Sequence, residues 1–60
     1  MANTRARQWV GEFVQELVTN LRPNIGLKFA TNIAVTEYDA ANLYPRMAAA
    51  DWAKRSAPGK

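Results

Sequence analysis

Three observations predict a mainly α fold in one small domain. The stretch from Thr4 to Arg22, TRARQWVGEFVQELVTNLR, repeats large apolar side chains at helical spacing. A second stretch, from Glu37 to about Arg55, does the same around one proline. With sixty residues and no cysteine, the chain has room for a single core and no disulfide to staple it. Between the two helical stretches, residues 27–36 read as a short extended segment, a lone strand, which makes a small α+β fold the alternative.

The first helix is amphipathic. Asn3 or Thr4 offers a side-chain oxygen as N-cap after the lead-in Met1 to Asn3. Ala6, Trp9, Val10, Phe13, Val14, Leu17, Val18 and Leu21 then cover an arc of roughly 180°, opposite Gln8, Glu12, Gln15, Glu16 and Thr19. An arc this wide exceeds a coiled-coil seam, so it requires more than one neighbouring element or a neighbour from another chain. Gly11 costs about 1 kcal/mol relative to alanine inside a helix, and its place at the edge of the arc suits a close backbone approach. Arg5 and Arg7 fall in the first turns, where the helix dipole disfavours cations by a few tenths of a kcal/mol. Pro23 ends the helix and biases Arg22 out of the α region; Pro23, Asn24 and Gly26 supply turn chemistry.

Leu27, Phe29, Thr31, Ile33 and Val35 alternate with Lys28, Ala30, Asn32, Ala34 and Thr36, a period-two pattern rich in β-branched residues. Phe29 with Ile33 and Ala30 with Ala34 also fit a helix, but the alternation favours a strand. As the one strand candidate in the chain, it would have to pair with a second copy or a partner's sheet edge. Thr36 then reads as the N-cap of the second helix, with Asp39 three residues on. Ala40, Ala41, Leu43, Tyr44, Met47, Ala48 and Trp52 form its apolar positions. Pro45 either kinks one helix or starts a new one. The alanines at 48, 49 and 50 permit close approach of another backbone, and Asp51 with Arg55 forms an i,i+4 pair in the favourable order. Residues 56–60 read as a tail.

Composition excludes several classes of function. There is no histidine and no cysteine, so the commonest general base and the usual zinc ligands are missing. Ser56 has no evident base, Glu12 and Glu16 read as a solvated face, and the three glycines are too scattered for a phosphate loop. Neither a catalytic residue, a metal site nor a cofactor site is expected. The opening MANTRARQWV lacks the apolar run of a secretory signal, and no apolar stretch is long enough to span a membrane. An interfacial helix would carry Lys and Arg opposite Trp9 and Phe13, where this one carries Glu12 and Glu16. The expected location is therefore cytoplasmic, or within a virus-like or multi-subunit particle.

What remains is association. A lone core below roughly 70–80 residues rarely supplies more than about 3–5 kcal/mol, and with disulfide and thiolate metal absent the available staple is another chain. The expectation is a small non-enzymatic interaction or structural subunit that completes its core with copies of itself or within a larger assembly. An accessory protein of a particle and a short inhibitor docking on a larger protein both fit. Trp9, Phe13, Leu17, Leu21 and Trp52 are the candidate partner-binding residues, since large side chains dominate interface energetics. The alternative is a small basic dimeric nucleic-acid-binding protein. The net charge is +3 and the pI near 9.8. Arg5, Arg7, Arg46, Lys54 and Arg55 would contact phosphate, and Tyr44 or Trp52 would stack on bases.

Overall fold

The structure, a computed structural model, describes residues 4–40 and 44–56. These residues form three helices: α1 (Thr4–Glu16), continued by one π-helical turn (Leu17–Leu21), then α2 (Leu27–Ala40) and α3 (Pro45–Arg55). The fold is mainly α, and among the described residues there is no strand. α1 is the central element. α2 packs on one side of it and α3 on the other, while α2 and α3 touch each other little. The wide apolar arc of the first helix is thereby explained within the chain, because two neighbours share it. Ala6, Trp9, Val10, Phe13, Val14, Leu17, Val18 and Leu21 are all buried or half-buried, and Gln8, Glu12, Gln15 and Thr19 are exposed. Thr4 opens α1; Asn3, the other candidate cap, lies outside the described residues.

The core is small and has a particular composition. Phe13 and Leu17, each 0% exposed, are the large side chains fully enclosed among the described residues. Around them stand Val14 and four alanines: Ala30 and Ala34 from α2, Ala48 and Ala49 from α3. A methyl group on each flanking helix lets that backbone approach α1 closely, so two large side chains from α1 suffice to fill the centre. Trp9 extends the core toward the C-terminal end of α2. Its ring stacks on Phe13 (centroids 5.4 Å, interplanar angle 23°) and meets Tyr38 edge-on at 5.3 Å.

Residues 27–36 are helical, which corrects the extended reading. The physical reason is the pairing of Ala30 with Ala34: four residues apart, they share one face of a helix, and that face is the one buried against Phe13 and Leu17. A helix also satisfies its own backbone, whereas a single strand would leave a row of donors and acceptors unpaired. The hydroxyl of Thr31 donates to the Leu27 carbonyl at 2.9 Å, a local bond characteristic of threonine in a helix. Thr36 is consequently not an N-cap; it lies exposed inside α2. At Pro45 the second of the two sequence alternatives holds. Tyr44 is the extended residue before α3 (φ −63°, ψ 154°) and Pro45 is its first helical residue, where a missing N–H costs nothing. The expected apolar positions Ala41 and Leu43, and the tail from Ala57 to Lys60, lie outside the described residues.

The junction after α1 follows from Pro23. With φ −136° and ψ 74°, Arg22 has left the α region, as the residue before a proline tends to. Its N–H donates to the Leu17 carbonyl at 2.6 Å, an i to i−5 bond that widens the last turn. This places the Arg22 guanidinium at the far end of α3. There Nη2 donates to the carbonyl oxygens of Ala53 (2.8 Å) and Ser56 (3.1 Å), two groups that the end of a helix leaves without an internal partner. The guanidinium also sits 5.6 Å from the ring centre of Trp52. A cation at a helix C-terminus is favoured by the dipole as well. One side chain therefore ties the end of α1 to the end of α3, between residues far apart in the chain.

Two expectations follow. Phe13→Ala removes one of two large core side chains and costs about 3–5 kcal/mol, as much as a domain of this size commands. Thermal unfolding of that variant, followed by circular dichroism, will show no cooperative transition, whereas Leu17→Met, which conserves volume, retains one. Arg22→Gln loses the charge at the α3 terminus and costs about 1–2 kcal/mol, lowering Tm by roughly 5–15 °C. Arg22→Lys will recover part of that loss, because an ammonium reaches one carbonyl but lacks the planar fork and the stacking on Trp52.

Candidate interaction surface

The alanine faces that build the core leave three of the larger side chains of α2 mostly outside, while Ile33 packs against the core. Leu27 is 66% exposed, Phe29 59% and Val35 54%. Leu27, Thr31 and Val35 recur every four residues, so they form one stripe along α2. This stripe flanks α1 beside the part of its arc carrying Ala6, Val10, Gly11 and Val14, and between the two helices runs an open apolar groove of about 500 Å³. The one hydroxyl on the stripe, that of Thr31, is already committed to the Leu27 carbonyl. Gly11 lines the groove as well, and a Cβ added there would meet nothing within 4 Å. The space beside Gly11 is thus a hollow in the lip formed by α1. Arg7 and Asp39 mark one end of the groove.

Two smaller features surround the opposite side. Leu21, Ile25, Phe29 and Trp52 line a recess of about 330 Å³ at the α1–α2 turn, with Arg22 among its polar members. Tyr44, 78% exposed, and Met47, 56% exposed, are the large apolar side chains that α3 and its N-cap leave outside.

The five residues expected to bind a partner are distributed between core and surface. Phe13 and Leu17 have no exposed area and serve the chain's own packing. Trp9, Leu21 and Trp52 are half-buried and keep part of their surface outside. The residues missed by the sequence reading are Leu27, Val35, Val10 and Gly11 as a group. The mark they leave in the sequence is the four-residue recurrence of Leu27, Thr31 and Val35, which the stronger period-two alternation hides.

The basic residues do not gather. Arg5 lines a recess with Trp9 and Tyr44, Arg7 the apolar groove, Arg46 a polar recess shared with Glu12 and Glu16, and Lys54 a shallow site with Met47. Arg55 is engaged by two carboxylates: Nε donates to Asp51 at 2.9 Å and Nη2 to Glu37 at 2.9 Å. Asp51 and Glu37 together raise its pKa further above the usual arginine range. The Glu37 contact is the one ion pair among the described residues that joins α3 to α2, and it is solvent-exposed on the Arg55 side. Glu12 and Glu16 accept hydrogen bonds from Gln8 (3.4 Å) and Asn20 (3.0 Å) along their own helix. Among the described residues, no group of three or more acidic side chains is placed to hold a metal ion, and no helix is long and apolar enough to cross a membrane.

Compared with protein families, with curated proteins and with solved structures, the chain matches none of them.

Proposed function

We propose that this chain is a small non-enzymatic interaction or structural subunit whose apolar groove between α1 and α2 is completed by association. The groove is the observation that carries this reading. About 500 Å³ of apolar hollow lies open on a chain whose described residues fully enclose two large side chains, Phe13 and Leu17. Exposed apolar surface gathered in one groove, with polar residues at its end, is the form that interaction sites take. Further support comes from size, since a buried core of Phe13, Leu17, Val14 and four alanines leaves a sixty-residue chain near the limit of independent stability. Trp9, Leu21 and Trp52 would contribute the part of their surface that the fold leaves outside. The subunit would act as an accessory component of a virus-like or multi-subunit particle, or as an inhibitor seated on a larger protein, in the cytoplasm or in the particle itself.

The solution mass of the purified chain, with circular dichroism on the same sample, tests the reading. A helical oligomer, or a chain that gains cooperative unfolding only with a partner, is the expected result. A well-folded monomer that unfolds cooperatively at every concentration would sink it.

A further inference from the structure

We infer that the occupant of the α1–α2 groove is a second copy of this chain, related by a two-fold axis that runs along the groove parallel to both helices. The inference rests on the association reading above and names its partner. Its first support is helix direction. α1 and α2 are joined by a short turn, and Trp9 stands level with Tyr38, so the two helices run antiparallel. An axis along the groove sets each α1 against the partner's α2, again antiparallel, and produces a four-helix bundle in which every neighbour runs in the opposite direction. The symmetry is isologous, so one lip of the groove must fit the other.

That fit is present in the side chains. Because the axis is parallel to the helices, residues level within one copy also face one another between copies. Counting away from Trp9 and Tyr38 at about 1.5 Å per residue, Val35 and Asp39 are the groove-lining residues of α2 that fall within about one residue of the level of Gly11 and of Arg7 respectively. The partner's Val35, projecting from α2, then meets the hollow at Gly11, where a Cβ has no atom within 4 Å. This gives the helix-interior glycine a physical purpose. At this point a large side chain of one lip opposes a position of the other lip that has no side chain.

Charge agrees with shape. Arg7 and Asp39 are both exposed, sit at the same end of the groove, and their side chains make no hydrogen bond or ion pair with any described residue. The two-fold places Arg7 against the partner's Asp39 and Asp39 against the partner's Arg7, two attractive pairs per dimer. A strongly acidic or strongly basic occupant would satisfy one of these residues and oppose the other. A copy of the chain satisfies both.

Charge reversal separates the alternatives. Arg7→Asp and Asp39→Arg change exposed residues outside the core, and circular dichroism will verify that each variant remains helical. In sedimentation equilibrium the unchanged chain is expected to be a dimer, and each variant alone to dimerise about tenfold more weakly, since two attractive contacts become two repulsive ones. Mixing the two variants should restore the dimer. In the mixed pair the introduced aspartate of one chain faces the introduced arginine of the other, and the retained Asp39 faces the partner's Arg7. Repulsion confined to one chain would not be relieved by mixing, so restoration identifies contacts between copies. An oligomer indifferent to both reversals and to mixing would overturn this arrangement while leaving the association reading intact. A poorly folded monomer rescued by a different protein would do the same. A cooperative, well-folded monomer would overturn both.

Discussion

Phe13 and Leu17 hold the three helices on one centre, and most of the remaining structure is a consequence of how they are enclosed. Two large side chains from a single helix can be covered from both sides only if the covering helices come close. Alanine at 30, 34, 48 and 49 provides that closeness. The choice has a cost elsewhere, because a helix that buries its alanines directs most of its larger residues away from the centre, Ile33 excepted. On α2 those are Leu27, Phe29 and Val35, all more than half exposed. The groove is therefore not an isolated defect in packing. It is the other side of an alanine-lined core.

Arg22 and Pro23 convert this arrangement into a closed chain. Proline forces the preceding residue out of the helix, the last turn relaxes to i to i−5 bonding, and the freed arginine meets the terminal carbonyls of α3. Without that contact α3 would rest on α1 through Ala48, Ala49 and Trp52, and on α2 through the exposed Glu37–Arg55 pair. Exposed ion pairs contribute little to stability. Hydrogen bonds from a half-buried cation to otherwise unpaired carbonyls contribute more, and they fix the register of α3 as well as its presence.

Much of the fold can be read in the sequence where one physical signal dominates. The first helix is legible because eight apolar residues share one periodicity and Pro23 sets its limit. Pro45 is legible as a boundary, though the residues alone do not choose between a kink and a new start. Residues 27–36 are misleading for a definite reason. Their side chains alternate in size as a strand's would, but the residues that decide the structure are the small ones, Ala30 and Ala34, whose value lies in what they let approach. Hydrophobicity patterns weigh large side chains and pass over that role. The candidate surface is obscured in the same step. Gly11 at the edge of the apolar arc suggests a close backbone approach, but within the chain a Cβ there would meet nothing within 4 Å, so the glycine marks an open stretch of the groove instead. The aromatic and leucine anchors expected at an interface are divided: Phe13 and Leu17 are consumed by the core, and Trp9, Leu21 and Trp52 remain partly outside.

The division of labour between the two faces of α2 bears on why such a chain would be built this way. A monomer selected for stability alone would place Leu27 and Val35 inward and polar residues along the groove, since each apolar side chain moved from water to a core gains about 1.5–3 kcal/mol. Here the inward positions are alanine, and the outward stripe is apolar, with its single hydroxyl bonded back to its own helix. Gly11 accepts a helix-propensity cost to keep a hollow facing that stripe. Each of these features weakens the isolated chain, and in the proposed dimer each would improve the fit of a second helix pair laid into the groove. Their coincidence on one surface is what the proposed covering of the groove would explain together, in place of three separate tolerances.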